Sequence, residues 1–166
     1  EGRPGPVVID VPDDIQRRAL ADFTHSSKLP VGTETMSRTD YGPVISEIRS
    51  AKRPILVLGA GTAAEETKDL ARDFVHKTGI PVALTWGAIN TLPSDDKNLI
   101  GFFGTHGDRH TNILLDRCDL VVSVGCRLDT KATGSPASSF APNARKVAID
   151  IDSHELDKFD AIGVEV

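Results

Sequence analysis

The sequence predicts an α/β fold: a doubly wound, mainly parallel sheet of about six strands with helices on both faces. Short apolar runs alternate with stretches of helical periodicity, as expected where buried strands are joined by crossover helices. Glycine-rich turns follow several of these runs. With 166 residues, of which 39% are hydrophobic and 26% charged, the chain is long enough for one solid core.

The first 38 residues are expected to lie outside this domain. Residues 7–11 have the composition of a strand, and residues 12–38 have little apolar periodicity. Proline, glycine, serine and threonine are frequent there, as in a linker that runs over a surface. A short helix at residues 13–23 is an alternative for part of this segment. Residues 39–166 are expected to form the α/β domain.

Two helices flank the first strand of that domain. The first is capped by Thr39 or Asp40 and ends near residue 51, and the second spans residues 63–78 before Gly79. Between them, residues 55–58 form an apolar strand. The side chains expected to face the core are Val44, Ile45 and Ile48 from the first helix and Leu70, Phe74 and Val75 from the second.

The alternation then continues to the end of the sequence. Right-handed crossovers between parallel strands place the intervening helices on both faces of the sheet. Strands are expected at 80–85, 120–125, 146–152 and 162–166, helices at about 108–117 and 154–158, and long loops at 86–106 and 126–143.

The two ends predict a fragment of a longer polypeptide. The sequence begins without methionine and enters a strand-like segment at once. It ends on another strand-like segment, whereas a parallel strand is normally covered by a crossover helix. We therefore expect the domain to be truncated at its carboxyl end.

Charge and composition disfavour several classes of partner. The net charge of −5 argues against nucleic acid or an anionic membrane surface. No apolar run approaches the roughly 18 residues of a membrane span, and no signal-peptide pattern is visible. Two cysteines are too few for a disulfide framework, and Cys126 has the signature of a small buried residue rather than a nucleophile. A reducing cytoplasm is the expected setting.

The glycine-rich or acidic turns are expected to fall at the carboxyl ends of strands, where open α/β sheets bind their ligands. These turns are Gly59-Ala60-Gly61, the segment 104–107, the segment 125–129 and the segment 150–152. Glycine permits close backbone approach, and a helix N-terminus offers N–H groups to a phosphate. A nucleotide-sized ligand is therefore expected in a Rossmann-like crevice.

The individual signals leave alternatives open. The GAGTAA segment at 59–64 is a relaxed form of G-x-G-x-x-A and equally suits a tight turn that only packs a helix on the sheet. No acid ends the second strand, which disfavours simple NAD binding. Arg127 suits a pyrophosphate and Asp129 a ribose, or the two form an internal ion pair. Of Asp150 and Asp152, one is expected to bind a ribose or purine and the other to cap the next turn.

No catalytic residue and no metal ligand are expected within the chain. His106 and His110, with Asp108, invite a zinc interpretation, but a glycine separates His106 from the helix and disturbs the alignment. Trp86 is expected to be a wall of the crevice or a contact to another domain.

Seven segments resemble, in the same order, segments of acetolactate synthase and its relatives among the thiamine-diphosphate enzymes. They are 5–16 (GPVVIDVPDDIQ), 53–61 (RPILVLGAG), 85–87 (TWG), 93–96 (PSDD), 101–107 (GFFGTHG), 125–134 (GCRLDTKATG) and 149–156 (IDIDSHEL). Each motif is weak alone, and the ordered series is strong.

The resemblance implies the central domain of a three-domain enzyme that works as a homodimer or homotetramer. Residues 1–38 then correspond to the end of the preceding pyrimidine-binding domain and a linker. Such an enzyme decarboxylates a 2-keto acid and transfers or releases the acyl unit, using thiamine diphosphate and Mg²⁺ bound by the flanking domains. The fragment alone is expected to be inactive.

The resemblance also implies that FAD, or ADP in some relatives, lies along the loops of this domain. The sequence departs from the pattern of the better FAD binders: Gly-Ala-Gly replaces Gly-Gly-Gly, and Thr130 and Lys131 replace an acid and an arginine. An empty scaffold domain and a free-standing nucleotide-binding or regulatory module therefore stay open as alternatives. The implied cofactor contacts are Gly59, Ala60, Gly61, Gly104, Thr105, His106, Gly107, Arg127, Asp129, Asp150 and Asp152.

Overall fold

The computed structural model describes residues 5–19, 39–159 and 162–165. The chain divides into two compact units, Glu1–Ser37 and Arg38–Val166. In the first unit, helix α1 spans Asp13–Gln16, and the preceding residues 5–12 are exposed and form no strand. The strand predicted at residues 7–11 is therefore wrong, since an apolar run becomes a strand only beside an edge that pairs with its backbone. Most of the predicted linker lies outside the described residues.

The second unit is built on one sheet of six parallel strands, in the order β3-β2-β1-β4-β5-β6. This architecture confirms the predicted doubly wound fold. The strands are β1 (Pro54–Leu58), β2 (Val82–Leu84), β3 (Leu99–Phe102), β4 (Leu120–Val124), β5 (Arg145–Asp150) and β6 (Ile162–Glu165). The helices are α2 (Gly42–Ser50), α3 (Glu65–Thr78), α4 (Arg109–Arg117), α5 (Thr130–Thr133) and α6 (Ser153–Leu156).

Strand β3 lies inside the segment predicted as a loop at 86–106. It has four half-buried residues, includes Gly101 with a positive φ of 112°, and pairs with β2 through a register shift next to Val82. A short strand with a glycine and an irregular register gives almost no period-two pattern, which explains why the sequence concealed it. The predicted loop at 126–143 likewise contains α5.

The core forms two layers, one on each face of the sheet. Alternate residues of β1 point to opposite faces: Leu56 and Leu58 pack in one layer, and Ile55 and Val57 in the other. Helices α2 and α3 contribute buried residues to the first layer, and α4 contributes Leu115 to the second. Helices on both faces follow from this division, as predicted.

Helix orientations differ in part from the sequence prediction. Val44 and Val75 are buried and Ile48 packs on the core, but Ile45, Leu70 and Phe74 are exposed, Leu70 to 70%. In α3 the inward positions are Ala71 and Val75, one turn apart, so the helix is rotated by about one residue from the expected face. Gly79 ends α3 in the left-handed conformation with φ of 68°, as predicted.

Among the described residues, every helix is too short or too polar to cross a lipid bilayer.

Candidate nucleotide-binding crevice

The sheet order reverses between β1 and β4, which are neighbours in space but not in sequence. Parallel sheets open a crevice at this position, beyond the carboxyl ends of the strands. Gly59 follows β1 and Gly125 follows β4, so the two glycine turns lie side by side at this point.

The two turns pack directly on each other through their backbones. The Gly59 N–H donates to the Val124 carbonyl, and the Gly61 N–H donates to the Gly125 carbonyl, each at 3.0 Å. A Cβ atom at Gly59 would lie 2.2 Å from the Gly125 carbonyl oxygen. The glycines thus permit close packing between loops, and the N–H groups of Gly59 and Gly61 are already used.

The first turn of α3 also differs from a phosphate-binding helix start. Glu65 and Glu66 occupy it, and their negative charge already complements the helix dipole. The Lys68 ammonium donates to Glu65 and lowers the pKa of that carboxyl. A ligand phosphate would meet like charge here. Contact of Gly59, Ala60 and Gly61 with a cofactor stays a prediction.

The turn between β3 and α4 is bonded to the start of α5. The N–H and the hydroxyl of Thr105 both donate to the Lys131 carbonyl, at 2.8 and 3.0 Å. The Gly104 N–H donates to the Asn112 side chain at 2.9 Å, and Gly104 has φ of 98°. A Cβ at Gly107 would lie 2.5 Å from the Phe103 backbone. This turn is therefore compact, and it presents His106 at its surface.

A cavity of about 240 Å³ lies above the ends of β2, β3 and β4. The indole of Trp86 and the imidazole of His106 meet in its wall, with ring centroids 5.3 Å apart at a 50° tilt. Three basic side chains, one carboxylate, two hydroxyls and several apolar groups line it: Thr85, Trp86, Gly87, Phe103, Thr105, His106, Arg127, Asp129, Lys131 and Ala132. The cavity therefore brings together Thr105, His106, Arg127 and Asp129 of the predicted site.

The Arg127 side chain does not form the ion pair with Asp129 that the sequence left open. Its Nε atom lies 3.7 Å from Glu155 of α6. The Asp129 carboxylate instead caps α5, accepting the N–H groups of Lys131 and Ala132 at 3.0 Å each. Arg127 is 69% exposed and can reach a ligand in the cavity.

The two aspartates after β5 have separate roles. Asp152 caps α6 by accepting the His154 N–H at 3.1 Å, as predicted for one of the pair. Asp150 is buried, and its carboxylate accepts the Asp152 N–H at 3.1 Å. Binding of a ribose or purine by Asp150 stays a prediction.

The histidines and cysteines of this region have structural contacts. The His110 ring lies 2.9 Å from the Ile100 carbonyl oxygen, which accounts for its position without a metal ion. Burial, together with the charges of nearby acids, raises the pKa of the Cys126 thiol to about 12. A thiol with that pKa stays protonated near neutral pH, which supports the expected role as a small buried residue.

Sequence reasoning did not identify Thr85, Phe103, Ala132 and Glu155 as residues of this region. Thr85 and Phe103 directly follow β2 and β3, so an assignment of β3 would have found Phe103. Glu155 is 28 positions from Arg127 in the numbering, and no sequence signal connects the two.

The family model and the similar curated proteins point to the same family. Residues 43–166 match the model of the "Thiamine pyrophosphate enzyme, central domain" family. Similar curated proteins are acetolactate synthase 1, chloroplastic, of Nicotiana tabacum (38% identity, 95% of this chain and 24% of that protein) and the acetolactate synthase large subunit of Corynebacterium glutamicum (34%, 99% and 27%). Acetolactate synthase, chloroplastic, of Arabidopsis thaliana is 37% identical over 95% of this chain and 24% of its own length.

The chain thus spans about a quarter of the length of these curated relatives. The family match covers the six-stranded sheet and the crevice residues. The ordered motifs, the sheet order and this match agree: the chain belongs to the thiamine pyrophosphate enzyme family, as a central domain similar to that of acetolactate synthases.

Proposed function

We propose that this domain is part of an enzyme that decarboxylates a 2-keto acid and transfers or releases the acyl unit. The names of the similar proteins support this proposal. When bound, thiamine diphosphate supplies the carbanion stabilisation for such a reaction. Thiamine diphosphate and Mg²⁺, bound by flanking domains, belong to this proposal. A cytoplasmic homodimer or homotetramer is part of the same proposal.

Within that enzyme, we infer that the crevice binds the diphosphate part of a nucleotide cofactor. The observation that carries this inference is the combination of Arg127, Lys131 and His106 with Trp86 around one cavity. Arginine and lysine attract a diphosphate, and arginine fits it bidentately. At about 240 Å³ the cavity is smaller than most ligand pockets, so ADP, or the ADP part of FAD, suits it better than a complete flavin dinucleotide.

Ligand binding can be tested on the 166-residue chain by adding ADP or FAD and measuring Tm and flavin fluorescence. A bound ligand stabilises the folded state by RT ln(1 + [L]/Kd). Arg127→Ala is expected to remove the shift, because the guanidinium is the main cation of the cavity. Arg117→Ala, which alters an exposed arginine at the end of α4, is the matched control and should keep it.

An empty scaffold is the second candidate, and one observation favours it. In the turn after β1, the N–H groups of Gly59 and Gly61 already donate to backbone carbonyls, and the next helix begins with the negative charges of Glu65 and Glu66. If neither ADP nor FAD raises Tm at high concentration, the scaffold is the better description.

The proposed reaction needs the full-length protein. We expect release of CO₂ from pyruvate, the simplest 2-keto acid, only after thiamine diphosphate and Mg²⁺ are added. Full-length protein that binds thiamine diphosphate but leaves 2-keto acids unchanged would refute the proposed reaction.

A further inference from the structure

The side chains of Arg127, Glu155 and Lys158 link helix α6 to the edge of the crevice. The two carboxylate oxygens of Glu155 face different cations: Oε2 accepts a hydrogen bond from Lys158, and Oε1 lies 3.7 Å from Nε of Arg127. Glu155 is only 9% exposed, whereas Arg127 is 69% exposed. Glu155 is therefore the fixed member of the Arg127 pair.

The position of Glu155 is set by its own helix. Asp152 caps α6 through the His154 N–H, and the Glu155 N–H donates to the Asp152 carbonyl at 2.9 Å. Lys158, one turn further on, holds the carboxylate from the other side. The carboxylate is thus placed beside Arg127 by contacts that do not involve Arg127.

The atom of Arg127 that faces Glu155 decides what the rest of the guanidinium can do. A guanidinium carries five N–H donors in a rigid plane, and Nε is at its inner edge. The guanidinium atom that approaches Glu155 is Nε, at 3.7 Å, and neither terminal nitrogen pairs with this carboxylate more closely. Within the described part of the chain, the terminal nitrogens make no hydrogen bond, and Arg127 lines the crevice. These nitrogens can therefore bind a phosphate group.

We propose that Glu155 is a positioning residue, which holds Arg127 through Nε so that its terminal nitrogens bind the phosphate of the crevice ligand. This role rests on the proposed binding of a nucleotide diphosphate. An exposed arginine loses side-chain entropy when a ligand fixes it, and a partner that restricts it beforehand reduces that loss on binding. At 3.7 Å the pair is longer than a hydrogen bond, so Glu155 orients Arg127 without competing strongly for it.

The ligand-free protein provides the first test. In Glu155→Gln, which keeps the shape but removes the charge, we expect the ¹⁵Nε–H resonance of Arg127 to shift and to exchange faster with water. Asp157→Asn removes a charge from the residue that ends α6 and should leave the resonance unchanged. An unchanged resonance in Glu155→Gln would overturn the proposal, whatever the ligand does.

Titration with ADP and with inorganic pyrophosphate provides the second test. Glu155→Gln is expected to weaken both by about two- to fivefold, the range of a partly exposed ion pair. Asp157→Asn should bind both ligands with the wild-type affinity. Glu155→Asp, which has a shorter side chain but keeps the carboxylate, should lose less affinity than Glu155→Gln. Whatever affinity for pyrophosphate remains in an Arg127→Ala background should not change further with Glu155→Gln, because the action of Glu155 passes through Arg127.

The outcomes separate this proposal from the proposed function. Unchanged or tighter binding by Glu155→Gln would show that Glu155 does not position Arg127, although the crevice still binds its ligand. An equal loss in the Arg127→Ala background would show that Glu155 acts only through stability. If the wild type binds neither probe, the proposed crevice ligand is wrong, and the role of Glu155 in binding is refuted with it.

Discussion

Gly61 and Gly125 lie backbone against backbone at the point where the sheet order reverses. The Gly61 N–H donates to the Gly125 carbonyl at 3.0 Å, and a Cβ at Gly61 would lie 2.8 Å from the Gly125 Cα. Gly125 has φ of 55°, in the left-handed region that favours glycine. The glycines that suggested a phosphate loop thus join the turns after β1 and β4.

Substitution of Gly59 tests this packing. Gly59 has an ordinary φ of −109°, so Gly59→Ala introduces no backbone strain but a steric overlap, with the Gly125 carbonyl oxygen at 2.2 Å and the Cys126 Cα at 2.4 Å. We expect a loss of about 2–3 kcal/mol in the free energy of unfolding, as for overpacking in a core. Urea denaturation measures it.

The matched control for that variant is Gly79→Ala. Gly79 has φ of 68° and no atom within 4 Å of an added Cβ, so it separates backbone strain from steric overlap. Gly79→Ala is expected to lower the free energy of unfolding by about 1 kcal/mol. If Gly59→Ala is no more destabilising than Gly79→Ala, the two turns do not pack as the structure has them.

The Asp108 carboxylate holds the turn that carries His106. It accepts the Phe102 N–H at 2.9 Å, and a Cβ at Gly101 would lie 2.3 Å from the same oxygen. Asp108→Ala should lower the free energy of unfolding by about 1–2 kcal/mol, because a backbone N–H loses a charged acceptor. Asp116→Ala, at an exposed position of α4, is the control and should stay within about 0.5 kcal/mol of the wild type. Equal stability of both variants would contradict this role.

Asp119 is expected to make stability depend on pH. Burial acts to raise the pKa of this carboxyl, but the N–H groups of Lys52 and Arg53, each at 2.8 Å, and the Arg53 charge together lower it. Its contribution is therefore complete above the unfolded pKa of about 3.9 and is lost as the pH falls through the lower pKa of the folded state. Asp119→Asn should lower the free energy of unfolding by about 1 kcal/mol at pH 7.

The difference in the free energy of unfolding between the wild type and Asp119→Asn should shrink as the pH falls, because the wild-type carboxyl becomes protonated. Chemical denaturation at pH 7 and at successively lower pH values measures the difference. A cost for Asp119→Asn that is independent of pH would refute the electrostatic part of this explanation.

Both thiols are expected to be unreactive in the folded chain. Burial raises the pKa of Cys118 to about 11 and that of Cys126 to about 12, and neither side chain is accessible. A thiol-specific reagent at pH 8 should modify neither residue, because the thiolate is the reactive form. Denaturation should make both react. Rapid labelling of the folded chain would show that one of these thiols is accessible.

The sequence was sufficient for features that depend on local chemistry. The strands β1 and β4 are apolar runs, interrupted only by Ser123 and bounded by proline, aspartate or glycine, and burial on both faces of a parallel sheet requires such runs. Gly79 ends its helix because only glycine adopts a positive φ there without strain. The ordered motifs also identified the family.

Only the tertiary structure decided which groups meet. It showed that β3, rather than residues 7–11, completes the six strands, because its four residues are ordered by pairing with β2. It gave Arg127 the partner Glu155 and assigned Asp129 to the cap of α5, whereas the sequence had left an ion pair between Arg127 and Asp129 open. Propensity and pattern act over a few residues, whereas these contacts join segments that the sheet brings together. The sequence by itself determined the fold class and the family, and the packing of the strands determined which side chains line the crevice.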